Sequence, residues 1–249
     1  MSLRILALDT STEACTVALL REDEVIERHE EAGRDAALRI LPLIDSVLAE
    51  AGCQLSELTV LAAGIGPGGF TGVRLGVAVA QGLAFGAALA VVPVNTLETL
   101  AWPALRRAGQ HGAPSNASGH AGGAGAVLAC LDARMGGIYW GCYRADAAWG
   151  VAPLEGPALG TPAELEPRLR AQALSAVGPG MRLLQATGPW PAPCDAQALP
   201  HAADLARLAA LRLPHGAAVD PAELMPLYLR DRVALTEAER GGLSQKRHM

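Results

Sequence analysis

Residues 64–76, GIGPGGFTGVRLG, constrain this chain more than any other stretch. An apolar run ending at Ala63 passes into a helix-like run through a turn holding Gly64, Gly66, Pro67, Gly68 and Gly69. Glycine reaches positive φ without a side-chain clash and leaves backbone N–H groups uncovered. Such a turn therefore either cradles an anion or makes a tight strand-to-helix connection. Gly64, Gly66 and Gly69 satisfy G-x-G-x-x-G, but the next strand ends in Val94-Asn95 and not in the acidic residue that grips a ribose. Phe70 and Thr71 stand where a Walker lysine would follow. The residues favour the tight connection over a phosphate site.

The helix beyond the turn carries Gly72, Gly76, Ala80 and Ala84 at four-residue spacing, a ridge without side chains along one face. Each interior glycine costs about 1 kcal/mol against alanine, so Gly72, Gly76 and Gly82 imply that another backbone packs close. That backbone belongs either to the chain's own sheet or to a partner. Thr71 and Arg74 read equally as a cap and a surface arginine or as contacts for an anion.

The 249 residues are 51% hydrophobic and 18% charged, enough for a sizeable core in one large domain or two lobes. A net charge of −5 argues against unaided tight binding to a nucleic-acid backbone. Five cysteines with no C-x-x-C pair do not make a disulfide or zinc framework. The N-terminus MSLRILALDT lacks the parts of an export signal, so a cytoplasmic location is expected. Residues 75–94 are uncharged and long enough to cross a bilayer, yet their Ala, Gly and Val content and Gln81 suit a core helix that ends where a buried strand begins. No membrane association is expected.

Three strands are predicted at 3–9, 14–20 and 24–30, then an amphipathic helix over 35–51 with apolar Leu38, Leu41, Ile44, Val47 and Leu48 and with Pro42 near its middle. A strand at 59–63, a helix at 71–86, a strand at 89–94 and a helix at 96–107 follow. This βββαβαβα order is the layout of a lobe of the actin, hexokinase and Hsp70 class, and predicts an α/β actin-like ATPase (ASKHA) fold of two lobes, the second reduced. The domains expected are an N-terminal lobe over 1–108, a flexible Gly/Ala/Ser loop over 109–124, a smaller lobe over 125–235 and a disordered polar tail over 236–249. A second hairpin is predicted at 125–132 and 137–144. The rest, from 150 onward, reads as irregular and proline-spaced, with helices near 163–172 and 201–213.

Chemistry is sparse. In that class the first hairpin, around Asp9, Thr10, Ser11 and Thr12, turns beneath nucleotide phosphates, but LDTST lacks the glycine that lets amides approach them, which favours Asp9 as a cap. The six histidines include no H-x-x-x-H pair and His111 and His120 lie in the loop, so no zinc or iron site is readable. There is no G-x-S-x-G elbow. No catalytic residue, cofactor or metal is assigned. The residues leave open a small-molecule kinase or ATPase working through Asp9, Thr10, Ser11 and the glycine turn. A peptidase, which would lose activity on chelation, is less well supported.

The segments ILALDTST, RILPLID, GPGGFTGVRLGVAVAQGLAFG, DARMGGIYWGCY and PLYLRDRVA, in that order, resemble the bacterial TsaB (YeaZ) family over nearly the whole chain. The resemblance implies a role in making threonylcarbamoyladenosine beside the anticodon of tRNAs reading codons that begin with A. It implies a non-catalytic, metal-free relative of TsaD that forms a heterodimer with it, works with the ATPase TsaE, and meets tRNA only through the complex. It places the pairing surface on the first two helices, which here nominates Leu38, Leu41, Gly72, Arg74, Gly76, Ala80 and Ala84, and allows a homodimer through the same face. Gly69 stands where the family usually has serine and Ala36 where it often has histidine.

Overall fold

A computed structural model describes residues 2–110, 125–172 and 174–230. The first half contains strands β1 (Arg4–Asp9), β2 (Cys15–Arg21) and β3 (Glu24–Glu30), then helix α1 (Ala36–Ala51), strand β4 (Val60–Gly64), helix α2 (Phe70–Ala87), strand β5 (Val91–Val94) and helix α3 (Thr96–Gln110). The second half repeats this order element for element. Strands β6 (Val127–Asp132), β7 (Ile138–Asp146) and β8 (Gly150–Gly160) precede α4 (Pro162–Gln172), β9 (Ser175–Val177), α5 (Met181–Leu184), β10 (Cys194–Asp195) and α6 (Ala202–Arg212).

The two sheets share one topology, β3-β2-β1-β4-β5 and β10-β9-β6-β7-β8. In each, the first three strands pair antiparallel and the later two add in parallel to the first. The repeat is shortened where it is parallel: β9 and β10 have 3 and 2 residues, and α5 has 4 where α2 has 18.

Each sheet is covered on both faces, as its unbroken apolar strands require. Helices α1 and α2 close the outer face of the first sheet, with Ile40, Leu43, Ile44, Val47, Val77, Ala80 and Ala84 on Leu6, Leu8, Val17 and Leu61. Between the sheets the last helix of each half crosses over. Helix α3 packs on β6 and β7, and α6 packs on β1 and β2, in one continuous core from Ile5 and Ala18 to Tyr143. Helices α4 and α5 close the far face of the second sheet around Trp140, Met181 and Trp190.

The βββαβαβα order and the 125–144 hairpin hold, and residues 75–94 divide into the end of α2 at Ala87 and a strand from Val91. Two expectations need correction. Residues 150–160, read as irregular, form the 11-residue strand β8. Its Pro153, Gly156 and Pro157 obscured it; they are tolerated because β8 is an edge strand whose pairing with β7 slips register beside them. Leu38 and Leu41 are not part of α1's core stripe, which is Ala36, Ile40, Leu43, Ile44 and Val47. Residues 111–124 and the tail from 231, with His111 and His120, lie outside the described residues.

Candidate binding face and cleft

The hairpin after β1 is built for packing. Asp9 is fully buried, accepts the Ser11 amide at 2.6 Å on Oδ1 and accepts the Thr96 hydroxyl at 3.2 Å on Oδ2. Burial pushes its carboxyl above the usual range despite these bonds. Ser11 Oγ lies 3.0 Å from Thr96 Oγ1, and Thr10 Oγ1 donates to the Gly72 carbonyl at 2.7 Å. The side chains of Asp9, Thr10 and Ser11 are thereby committed within the chain.

The glycine turn is pressed onto this hairpin. A Cβ at Gly64 would stand 2.1 Å from Asp9 Oδ2, one at Gly68 2.2 Å from the Ser11 carbonyl oxygen, and one at Gly72 2.0 Å from the Thr10 carbonyl oxygen. At Gly76 it would meet Thr10 Oγ1 at 2.8 Å, and the Gly69 amide donates to Ser11 O at 2.6 Å. The backbone that approaches the ridge is thus the chain's own. Gly76, Ala80 and Ala84, nominated as pairing residues, are buried against the first sheet and cannot be reached from outside; Gly72 is half-buried there.

The face of α2 turned outward carries a second series, Arg74, Ala78, Gly82 and Gly86, all exposed. Among the described residues nothing lies within 4 Å of a Cβ placed at Gly82 or Gly86, so no contact among them accounts for either glycine. Large apolar side chains border it: Phe70 and Phe85 are 44% and 61% exposed on α2, and Leu38 and Leu41 are 74% and 51% exposed on α1. By length and composition α2 is also apolar enough to cross a bilayer, although its inner side is packed on the sheet. Of the residues nominated from sequence, Leu38, Leu41 and Arg74 are exposed, whereas the glycine and alanine series is turned inward. The four-residue spacing from Arg74 to Gly86 was visible; which series faced outward was not.

Arg74 is held in place. Its guanidinium lies 3.5 Å from the Phe70 ring centroid, and Nε donates to the Tyr228 hydroxyl at 2.7 Å. Tyr228 belongs to the PLYLR segment, which runs back along the glycine turn, with the Leu227 amide bonded to Ile65 O at 2.8 Å and Arg230 donating to Ala133 O at 3.2 Å. That last bond reaches the DARMGG turn, where Arg134, Met135 and Gly136 all take positive φ and Met135 projects into solvent.

A cleft of about 750 Å³ opens between the halves, lined on one side by Thr10 to Glu13 and Gly68 to Gly72 and on the other by Asp132, Arg134, Pro179 and Arg182. Its far wall contains a second glycine turn, Gly178, Pro179 and Gly180, between β9 and α5. A Cβ at Gly178 would stand 2.2 Å from Cys130 O, so this turn sits on β6 as the first sits on the β1 hairpin. Sequence reading missed it, though GPG at 66–68 and again at 178–180 was the signal.

Two sheets of one topology, each with a glycine turn seated on its first strand and a cleft between, define an actin-like (ASKHA) α/β protein. The family model described as TsaD: tRNA N6-adenosine threonylcarbamoyltransferase matches residues 23–166. The tRNA threonylcarbamoyladenosine biosynthesis protein TsaB of Escherichia coli K12 is 38% identical over 244 residues, 93% of this chain and 96% of that protein. The Haemophilus influenzae TsaB is 46% identical over 139 residues, 56% of this chain and 53% of that one. A crystal structure from Pseudomonas aeruginosa, described as similar to peptidase YEAZ, superposes with a TM-score of 0.78 at 37% identity and covers 92% of this chain and 100% of that one. This chain belongs to the TsaB (YeaZ) family within the TsaD-like proteins.

Proposed function

We propose that this chain is a non-catalytic subunit in the biosynthesis of threonylcarbamoyladenosine in tRNA, pairing through the outer faces of α1 and α2 with a TsaD protein and acting with TsaE in the cytoplasm. The observation that carries the reading is the outer series of α2. Glycine inside an exposed helix costs about 1 kcal/mol with no return among the described residues, whereas a helix from a partner can pack closely over Ala78, Gly82 and Gly86. Leu38, Leu41, Phe70 and Phe85 supply apolar area at the rim of that contact. The same face joins two copies when TsaD is absent, and tRNA is met only through the complex.

A phosphoryl-transfer enzyme built on Asp9, Thr10 and Ser11 is the weaker reading, because all three side chains bond within the chain. Titration with ATP and magnesium separates the two, since tight binding with turnover by the isolated chain supports the enzyme.

Two variants, Leu38→Asp with Leu41→Asp, and Gly82→Trp, test the pairing. Both should abolish co-elution with TsaD and lower formation of the modified nucleoside on unmodified tRNA, while the thermal melt of the isolated chain stays close to native. Retained co-elution in both, or full modification with the chain left out, overturns the proposal.

A further inference from the structure

Glu27 and His29 lie two residues apart on β3 and so share a face, and His201 caps the start of α6 from 174 positions beyond Glu27. One ligand atom from each of the three falls within 4.8 Å of the others. His201 Nδ1 is 3.1 Å from Glu27 Oε2, and the two imidazole rings stack with centroids 4.1 Å apart and planes 17° apart; a ring nitrogen binds an ion in the plane of its ring, so one imidazole must turn out of this stack for both to reach the same ion. No spacing in the sequence brings these residues together; the docking of α6 onto the first sheet does.

The carboxylate is oriented from behind. Glu27 Oε1 accepts the Ala203 amide at 2.9 Å and the Thr16 hydroxyl at 3.3 Å, and Thr16 Oγ1 in turn accepts the Ala202 amide at 3.1 Å. One oxygen is thus fixed on the end of α6 while the other is presented to the imidazoles, the arrangement by which outer contacts aim a ligating carboxylate. His29 Nδ1 is sealed from solvent and has no hydrogen-bond partner among the described residues. The three residues themselves are only half-buried.

We propose that Glu27, His29 and His201 form a binding site for a divalent transition metal of the zinc class, clamping α6 to β3. Two imidazoles and one carboxylate are a donor set that zinc takes, leaving a fourth position for water. The 3.1 Å between His201 Nδ1 and Glu27 Oε2 is close to the roughly 3.4 Å that separates two atoms each about 2.1 Å from a tetrahedral ion. On binding, the proton shared between His201 and Glu27 leaves for solvent and the ion takes its place.

The test is calorimetric titration of the full, chelator-stripped chain with zinc chloride, together with the visible spectrum on adding cobalt. One zinc ion per chain should bind and raise the melting temperature, and cobalt should give tetrahedral bands without thiolate charge transfer. His29→Gln and His201→Gln should each weaken zinc binding at least tenfold. His215→Gln, remote on Trp149, and the triple change H111Q/H120Q/H248Q should leave it unchanged. No saturable binding overturns the proposal, as does affinity unaltered in both site variants, loss of binding in the triple variant, or a thiolate band. If the site variants fail to fold, the native cobalt spectrum and the triple variant still decide.

Discussion

Two glycines ten residues apart on α2 should respond to the same substitution with opposite signs. At Gly72 a methyl group would be 2.0 Å from the Thr10 carbonyl oxygen and 3.1 Å from its carbon, both backbone atoms that no rotamer change can move. The hairpin has to retreat, which loosens the 2.7 Å bond from Thr10 Oγ1 to Gly72 O, worth about 1 kcal/mol, and adds overpacking of about 1–3 kcal/mol. Against this stands a gain of about 1 kcal/mol in helix propensity. Gly72→Ala should therefore lose about 2 kcal/mol. At Gly82 nothing among the described residues lies within 4 Å of the new methyl group, so only the propensity gain remains and Gly82→Ala should add about 1 kcal/mol, a rise of about 2–4 °C in melting temperature. Denaturant midpoints at equal slope give both values. A Gly72→Ala chain as stable as native, or a Gly82→Ala chain that is destabilised, refutes the assignment of inner and outer series.

The hydroxyl of buried Tyr143 has no hydrogen-bond partner among the described residues, so Tyr143→Phe should be neutral or add about 1 kcal/mol in the same melts. Burial pushes the Cys15 thiol up to about 11 and Cys142 up to about 12, and holds Cys130 well above its ordinary value. A native-state thiol titration near neutral pH should label the half-exposed Cys194 first and leave those three unreacted until the chain unfolds. Burial raises Glu27, but hydrogen bonds from His201 and Ala203 outweigh it and hold the carboxyl below its ordinary range. Its contribution is then complete above the unfolded value and lost as pH falls through the folded one. In chelator, the stability gap between native and Glu27→Gln chains should be widest at about pH 5–6, close toward about pH 3 as Glu27 takes up a proton, and narrow again in alkali as His201, which Glu27 raises above its ordinary value, loses its own. A gap that persists in acid counts against the ion pair.

The strand and helix order was legible because its signals are local: short apolar runs bounded by polar turns in β1 and β2, helical spacing in α1, and a glycine turn before α2. The edge strand β8 was not, since Pro153, Gly156 and Pro157 erase the local signal that its pairing with β7 overrides. For the candidate face, sequence nominated Leu38, Leu41 and Arg74, which are exposed. It could not orient α2, because 72-76-80-84 and 74-78-82-86 are both small-residue series and only the position of the Thr10 carbonyl tells them apart. Nor could it join Glu27 to His201, whose proximity exists only once α6 has docked.

That docking also orders events in time. The inner surface of the first sheet, with Ile5, Ala7, Ala18 and Leu20, is covered by Ala202 to Ala209, which a ribosome makes after nearly everything else. Until then those strands hold a greasy flank bare, so a nascent chain stopped near residue 124 should be aggregation-prone and dependent on chaperones. Emergence of α6, rather than completion of the first five strands, is the moment at which the first sheet gains its second cover.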